Sequence, residues 1–374
     1  MFSESFNKRT WAEINLSALR ANVGEIRRLA PNKEIIAVVK ANAYGHGDNI
    51  ICPELKKTEV NFFAVSCIEE ALHIKEYVGD SQILIFGFTE KEYLQKVVEN
   101  NFILTVGDID YARELNSSAV KLPSAVRRKI RAHIKLNTGM NRVGINTEGE
   151  LEEILSLTEL KCEAVYTHFS CADSLNAEDL LFTRKQQEKL LCAAKGRGLK
   201  IHSQNSGGIL FHSDFEADYV RAGLILYGYS PNISCPSLPV KLSPVMSFKS
   251  VIRQLRTLET GDFVSYGRTY KADKKRLAAV IPAGYADGYS RLHSNSGLAI
   301  VKNTLCPVLG RVCMDSLIID VSHVEEIKVG DEVLLYSDKF KETSVEYIAE
   351  KLGTIPYEIT CAVGNRVKRV AIDI

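Results

Sequence analysis

Between positions 30 and 228 the apolar residues fall into short β-branched runs, each followed by a polar loop and then by a stretch with helical spacing. The runs are EIIAVVK ending at Lys40, FFAVSC ending at Cys67, QILIFGF ending at Phe88 and FILTV ending at Val106. AHIKLN then ends at Asn137, EAVYTHF at Phe169, LKIHSQ at Gln204 and DYVRAG at Gly223. Helical segments are expected between them, at Glu69–Val78, Glu90–Glu99, Glu148–Leu157 and Leu180–Lys195. Few of the runs alternate polar with apolar, as expected for parallel strands buried on both faces. Eight βα units over about 200 residues predict an α/β fold, a (β/α)8 TIM-type barrel.

After Pro244 the texture changes. Strand-like runs continue (MSFKSVIRQLRTL, FVSYG, LAAVIPAG, LAIVKN, CPVLGRV, SLIIDV, EVLLYS), but turn signals now separate them directly, as at Thr260-Gly261-Asp262 and Val329-Gly330-Asp331. One helix stands out, Ser344 to Leu352, with Ser344 suited to the N-cap and Gly353 to the stop. The expected organisation is a barrel over residues 12–241 and a mostly β domain over 242–374 together with 1–11. The early run TWAEINL precedes the barrel count and is a candidate to join it.

Composition narrows the classes. Lys plus Arg (47) against Asp plus Glu (46) leaves a net charge of +1, which removes the electrostatic case for a nucleic-acid or membrane-surface binder. No apolar run approaches the ~18 residues of a membrane span, and MFSESFNKRTWAEINL has no apolar h-region. The nine cysteines are scattered and form no C-x-x-C, so reduced thiols in a cytoplasm are expected. The H-x-x-C of His168 and Cys171 lacks further ligands within reach, and no metal is expected.

In such a barrel the reactive groups sit at the C-terminal ends of strands. Lys40, Lys135, His168, His202 with Ser206, and Arg221 end five different strands and aim basic or hydroxyl groups at one mouth. A lysine there is costly unless it is paired or reactive.

The segment around Lys40, VVKANAYGHG (38–47), resembles the cofactor-lysine motif of the alanine racemases. KLNTGMNRVG (135–144), THFSCAD (167–173), NSGG (205–208) and VRAGLILYG (220–228) follow in family order. So do SYGRTY (265–270), IPAGYADGYSR (281–291), GRVCMDSLIIDV (310–321) and PYEITC (356–361). The resemblance spans nearly the whole chain. It implies a fold-type III enzyme carrying pyridoxal 5'-phosphate, with Lys40 as the Schiff-base lysine. The Tyr44, Ser206 and Tyr357 hydroxyls and the Gly223 and Leu224 N–H groups are then the phosphate cradle, and Arg221 faces the pyridine nitrogen.

Because arginine keeps its protons, that nitrogen stays an acceptor and the ring a weaker electron sink. That suits reprotonation at Cα; a fold-sharing decarboxylase uses a carboxylate there. Racemisation needs acid/base groups on both faces of Cα. The resemblance makes Lys40 one and Tyr266 the other, with His168, His202 and Arg221 supporting the tyrosine. It assigns the substrate carboxylate to Arg142, further contacts to Met314 and Asp315, and the entrance to Tyr285. Tyr266, Tyr285, Met314 and Asp315 are expected from the partner of a homodimer with shared sites. Tyr357 beside the substrate methyl favours alanine over serine.

The resemblance also implies carbamylation of Lys135. The chain departs from the family at Asn137, where Asp is usual, at Asn141, often Gly, and at Asn365, often aromatic. The expected product is D-alanine for peptidoglycan.

Overall fold

The computed structural model describes residues 9–124, 128–233, 235 and 237–374. The expectation for residues 1–8 lies outside them. Two compact units emerge: Leu19–Ala43 with Asp48–Ser243, and the described residues up to Ala18 with Tyr44–Gly47 and Pro244–Ile374.

The first strand, β1 (Thr10–Asn15), belongs to the second unit. The first unit is built on eight parallel strands: β2 (Glu34–Val38), β3 (Phe62–Val65), β4 (Gln82–Ile85), β5 (Ile103–Val106), β6 (Ile130–Lys135), β7 (Leu160–Tyr166), β8 (Lys200–His202) and β9 (Tyr219–Ala222). They pair in the order β8-β7-β6-β5-β4-β3-β2-β9. The ring closes where the Asp218 and Arg221 N–H groups donate to the Ile201 and Gln204 carbonyls, both at 2.9 Å. Every residue of β3, β5 and β9 is buried, as continuous apolar runs between two packed layers require. All eight runs read from the sequence are strands. Most end a few residues early, because their last residues already rise into the loops of the mouth.

Helices Ile68–Val78, Glu148–Ser156 and Ala177–Ala194 fall where helical spacing placed them. Leu16–Leu29, Asp48–Lys57 and Ile109–Ala119 are further helices. Thr147 and Glu150 form a reciprocal capping box on the helix Glu148–Ser156.

The second unit is mostly β. Its strands after β9 are β10 (Met246–Val251), β11 (Gln254–Leu258), β12 (Phe263–Val264), β13 (Tyr270–Lys271), β14 (Arg276–Ile281), β15 (Leu298–Val301), β16 (Thr304–Pro307), β17 (Leu317–Asp320), β18 (Glu332–Tyr336) and β19 (Lys368–Ile372). A six-stranded sheet runs β16-β15-β18-β10-β1-β19, beside a three-stranded β11-β14-β17 and the ribbon β12-β13.

TWAEINL therefore does not join the barrel, and position 12 is not where the barrel begins. β1 lies between β10, antiparallel, and β19, parallel. Both partners lie more than 230 residues away, so no local pattern announces the pairing. Ser344 caps the helix Val345–Leu352 through the Tyr347 N–H, and Gly353 follows in the left-handed region, as read. A second helix, Pro356–Cys361, was not anticipated.

Candidate active site

Parallel strands bring their C-terminal ends to one side, so the barrel unit gathers its candidates there. Pairing puts Lys135 opposite Tyr166 and Tyr166 opposite His202 across three strands. The Tyr166 ring stacks on His202 at 4.4 Å and 7°. The Lys135 Nζ and the Arg221 guanidinium carbon lie 5.9 and 5.3 Å from its centroid, within cation–π range.

Arg221 is buried, and among the described residues it is held by imidazoles and backbone carbonyls. One terminal nitrogen donates to His202 Nδ1 at 2.7 Å and the His202 carbonyl at 3.0 Å. The other donates to the Thr167 and Ser203 carbonyls at 2.7 and 2.8 Å and approaches His168 Nδ1 at 3.3 Å. Burial draws the guanidinium down to about 10, so it remains a cation at neutral pH.

Arginine only donates, so His202 Nδ1 must accept. His202 Nε2 then carries the proton and donates to His133 Nδ1, 3.0 Å away. Burial holds both rings neutral: His133 falls to about 3, and His202 well below its ordinary value, with the Arg221 charge adding. His168 is also held well below it, by burial and then by Arg221, Lys135, Arg142 and Lys40. Every charge acting on His168 is thus a cation. Lys135 is lowered to about 8, by burial first and then by Arg142 and Arg221.

Lys40 follows β2 by two residues and opens an unusual turn. Ala41, Asn42, Ala43 and Tyr44 all have φ between 52° and 54°, a left-handed run that non-glycine residues rarely adopt. Glu70 braces it, one carboxylate oxygen accepting the Ala41 N–H and the other the Ser66 N–H, each at 2.7 Å. The Asn42 side-chain oxygen accepts the Asp48 N–H at 2.9 Å.

The loop bearing Arg142 is organised by Asn137 and Asn141, two of the three positions at which the sequence reading expected a departure from the family. The Asn137 oxygen accepts the Asn141 N–H, and its amide nitrogen donates to the Asn141 and Asn146 oxygens, all at 2.9 Å. An aspartate at 137 could not donate. Asn141 has φ 56°, which asparagine tolerates better than most residues. The two asparagines therefore form one interlocked pair.

Asn205 caps the turn at Ser206 through the Gly208 N–H at 2.9 Å, and the Ser206 hydroxyl accepts the Gly223 N–H at 3.3 Å. Ser206, Gly223 and Leu224 thus meet at the ends of β8 and β9.

In the β unit, Tyr266 opens a short helical turn after Ser265, whose φ is 63°. The Ser265 hydroxyl donates to the Arg311 carbonyl at 2.6 Å, tying SYG to GRVCMD. Tyr266 is 71% exposed, Met314 53% and Tyr285 41%, so three candidates on one unit face solvent. The Tyr44 and Tyr357 rings lie 5.7 Å apart.

Sequence reading missed Tyr166, His133, Glu70, Asp287 and Arg366. The first two were recoverable. His133 and Lys135, like Tyr166 and His168, are two apart, so along a strand they share a face. The other three also have distant partners, Ala41 for Glu70 and each other for Asp287 and Arg366, which no local pattern signals.

The family described as Alanine racemase, N-terminal domain, matches residues 14–231, and that described as Alanine racemase, C-terminal domain, matches residues 245–371. Fold, site and both matches define an amino-acid racemase, an isomerase. An alanine racemase of Clostridium perfringens is 40% identical over 374 residues, covering 96% of this chain and 94% of its own length. One of Clostridium tetani is 38% identical, covering 97% and 95%. The solved alanine racemase of Clostridium difficile 630 superposes with a TM-score of 0.90 at 32% identity, over 99% of this chain and 97% of that one. The chain belongs to the alanine racemase family.

Proposed function

We propose that the chain interconverts L- and D-alanine by a two-base mechanism with pyridoxal phosphate, in a homodimer whose sites are shared. The observation that carries this reading is the barrel mouth. Lys40 follows its strand by two residues and acts on His168 together with other cations, and Arg221 is buried on neutral imidazoles and carbonyls. A centre of this charge suits an anionic phosphate and an amino-acid carboxylate.

The residues present fit the cofactor. Lys40 offers an amine, and the Ser206 hydroxyl and Gly223 N–H converge beside Leu224; the family resemblance adds the Tyr44 and Tyr357 hydroxyls to this phosphate cradle. Arg221 offers a donor to a ring nitrogen that stays an acceptor. When bound, pyridoxal phosphate supplies a ring that shares the negative charge left on Cα after its proton departs.

Lys40 removes the proton of D-alanine from one face, and the partner subunit's Tyr266 removes that of L-alanine from the other; this facial assignment rests on the family resemblance. His168, held neutral, supports the tyrosine, with His202 and Arg221 behind it. Arg142 holds the substrate carboxylate, Met314 and Asp315 make further contacts, and Tyr285 lines the entrance. Lys135, its amine brought to about 8, adds to carbon dioxide with loss of a proton and becomes a carbamate beside Arg142.

The exposure of Tyr266 on a unit other than that of Lys40 supports the shared site. We assign the protein to the cytoplasm and its D-alanine to peptidoglycan. Among the described residues no helix is long and apolar enough to cross a membrane.

Mixing inactive Lys40→Ala and Tyr266→Phe chains tests the reading. One of the two sites in each heterodimer is intact, so about a quarter of all sites regain activity on statistical exchange. Tyr266→Phe alone is expected to lose ~10² to 10⁴ in rate or more. No regained activity despite demonstrated exchange refutes the shared site.

A further inference from the structure

Asp287, in the segment Gly284-Tyr285-Ala286-Asp287, is completely buried in the β unit. Two arginines clamp it. Arg9 donates to its two oxygens at 2.7 and 3.0 Å, and Arg366 to the same two at 2.8 and 3.0 Å. The Gly284 N–H adds a bond at 2.9 Å. These donors hold the carboxyl below its usual range against the opposing effect of burial. A buried carboxylate is tolerated only when so paired.

Arg366 does more than neutralise Asp287. One of its terminal nitrogens also donates to Asp315 Oδ1 at 2.8 Å and to the Met314 carbonyl at 3.3 Å. Charges therefore alternate along Arg9, Asp287, Arg366 and Asp315, from the interior to a carboxylate that is 62% exposed. The backbone is fastened in parallel. The Tyr285 and Ala286 N–H groups donate to the Cys313 and Met314 carbonyls, both at 3.1 Å. A Cβ on Gly284 would stand 2.2 Å from the Cys313 oxygen, so only glycine permits this approach. The two segments that carry Tyr285, Met314 and Asp315 are one body, and Arg366 is its side-chain bolt.

We propose that Arg366, anchored on Asp287, is a positioning residue: it sets the Asp315 carboxylate and the Met314 backbone in the orientation in which the β unit meets substrate. This rests on the reading that Met314 and Asp315 contact the amino acid. An exposed aspartate on its own samples several rotamers; a planar guanidinium that shares its donors between two carboxylates selects one. Lysine, a single point charge on a flexible stem, cannot bridge both.

Steady-state kinetics of the holoenzyme on both alanine enantiomers test the proposal. Arg366→Met is expected to raise KM about tenfold or more while kcat falls less than about threefold, because a binding contact is misplaced and the acid/base groups are untouched. Arg366→Lys is expected to recover little of this. Asp315→Asn should reproduce the effect, and in that background Arg366→Met should add nothing further. Unchanged KM in Arg366→Met and Arg366→Lys overturns the proposal. So does an effect of full size in both backgrounds, which would make Arg366 act independently of Asp315. Wild-type protein that racemises no alanine would instead defeat the functional reading itself, an outcome visible before any variant is made.

Discussion

Burial holds His133, His168, His202, His212 and His293 below the ordinary histidine value of 6.5. A histidine neutral in the fold takes up a proton on unfolding once the pH drops below that value. The unfolded chain then binds more protons, so stability falls as pH falls. For His133, lowered to about 3, the loss approaches ~1.4 kcal/mol per pH unit. Denaturant unfolding is therefore expected to show stability declining from pH 6.5 toward 4.5, before the paired carboxylates titrate. His133→Phe should reduce that slope by about the contribution of one proton. A flat wild-type profile across this window would contradict the neutral, linked imidazoles on which the placement of Arg221 depends. The same dependence on neighbours explains Asn137 and Asn141: each looks like a lone departure in the sequence, and only their mutual hydrogen bonds make them a pair.

At the scale of elements, the left-handed run after Lys40 sets four successive non-glycine residues, Ala41 to Tyr44, at positive φ. Each non-glycine residue there is disfavoured by roughly 1–2 kcal/mol relative to a right-handed conformation. The run persists because it is tied down: the Ala43 N–H reaches the Val39 carbonyl at 2.9 Å, Asn42 caps Asp48, and Glu70 grips Ala41 and Ser66. Glu70 can do this because the helix Ile68–Val78 starts directly after β3, alongside β2. Removing its carboxylate with Glu70→Ala is expected to speed hydrogen exchange at the Ala41 and Ser66 amides about tenfold, the equivalent of ~1.4 kcal/mol of local opening. Ala41→Gly is expected to act oppositely, since glycine adopts this conformation without penalty. Exchange unchanged in Glu70→Ala would mean that the turn is held by other contacts.

For the whole molecule, the assembled charges predict how stability responds to ligand. Lys40, Arg142 and Arg221 all act on His168, and such a group of like charges is relieved by an anion. Stripping the cofactor is expected to lower the thermal midpoint. Adding pyridoxal phosphate back should raise it with concentration, the added stability reaching about 2.7 kcal/mol at a hundred times Kd. Inorganic phosphate should shift it in the same direction, but less. A midpoint indifferent to pyridoxal phosphate would refute the assignment of this mouth to that cofactor.

Read alone, the sequence determined the eight-strand count and the change of texture at Pro244, because strand burial and turn chemistry are written in local periodicity. It carried the motifs too, since Lys40, Arg221 and Tyr266 sit in short segments that resemble those of the alanine racemases and follow in family order. The sheet that β1 joins was beyond it, because pairing with β10 and β19 brings together segments more than 230 residues apart, which periodicity does not encode. The tertiary structure alone decided the protonation of the imidazoles, through burial and the donor-only arginine beside them. It alone decided the left-handed turn as well, because nothing in KANAY forces positive φ until Glu70, brought from another βα unit, holds it there. Asp287 and Arg366 belong to the same class: a buried carboxylate and its guanidinium, 79 residues apart, become meaningful only when folding places them in contact, because the attraction between them acts over ångströms and not along the chain.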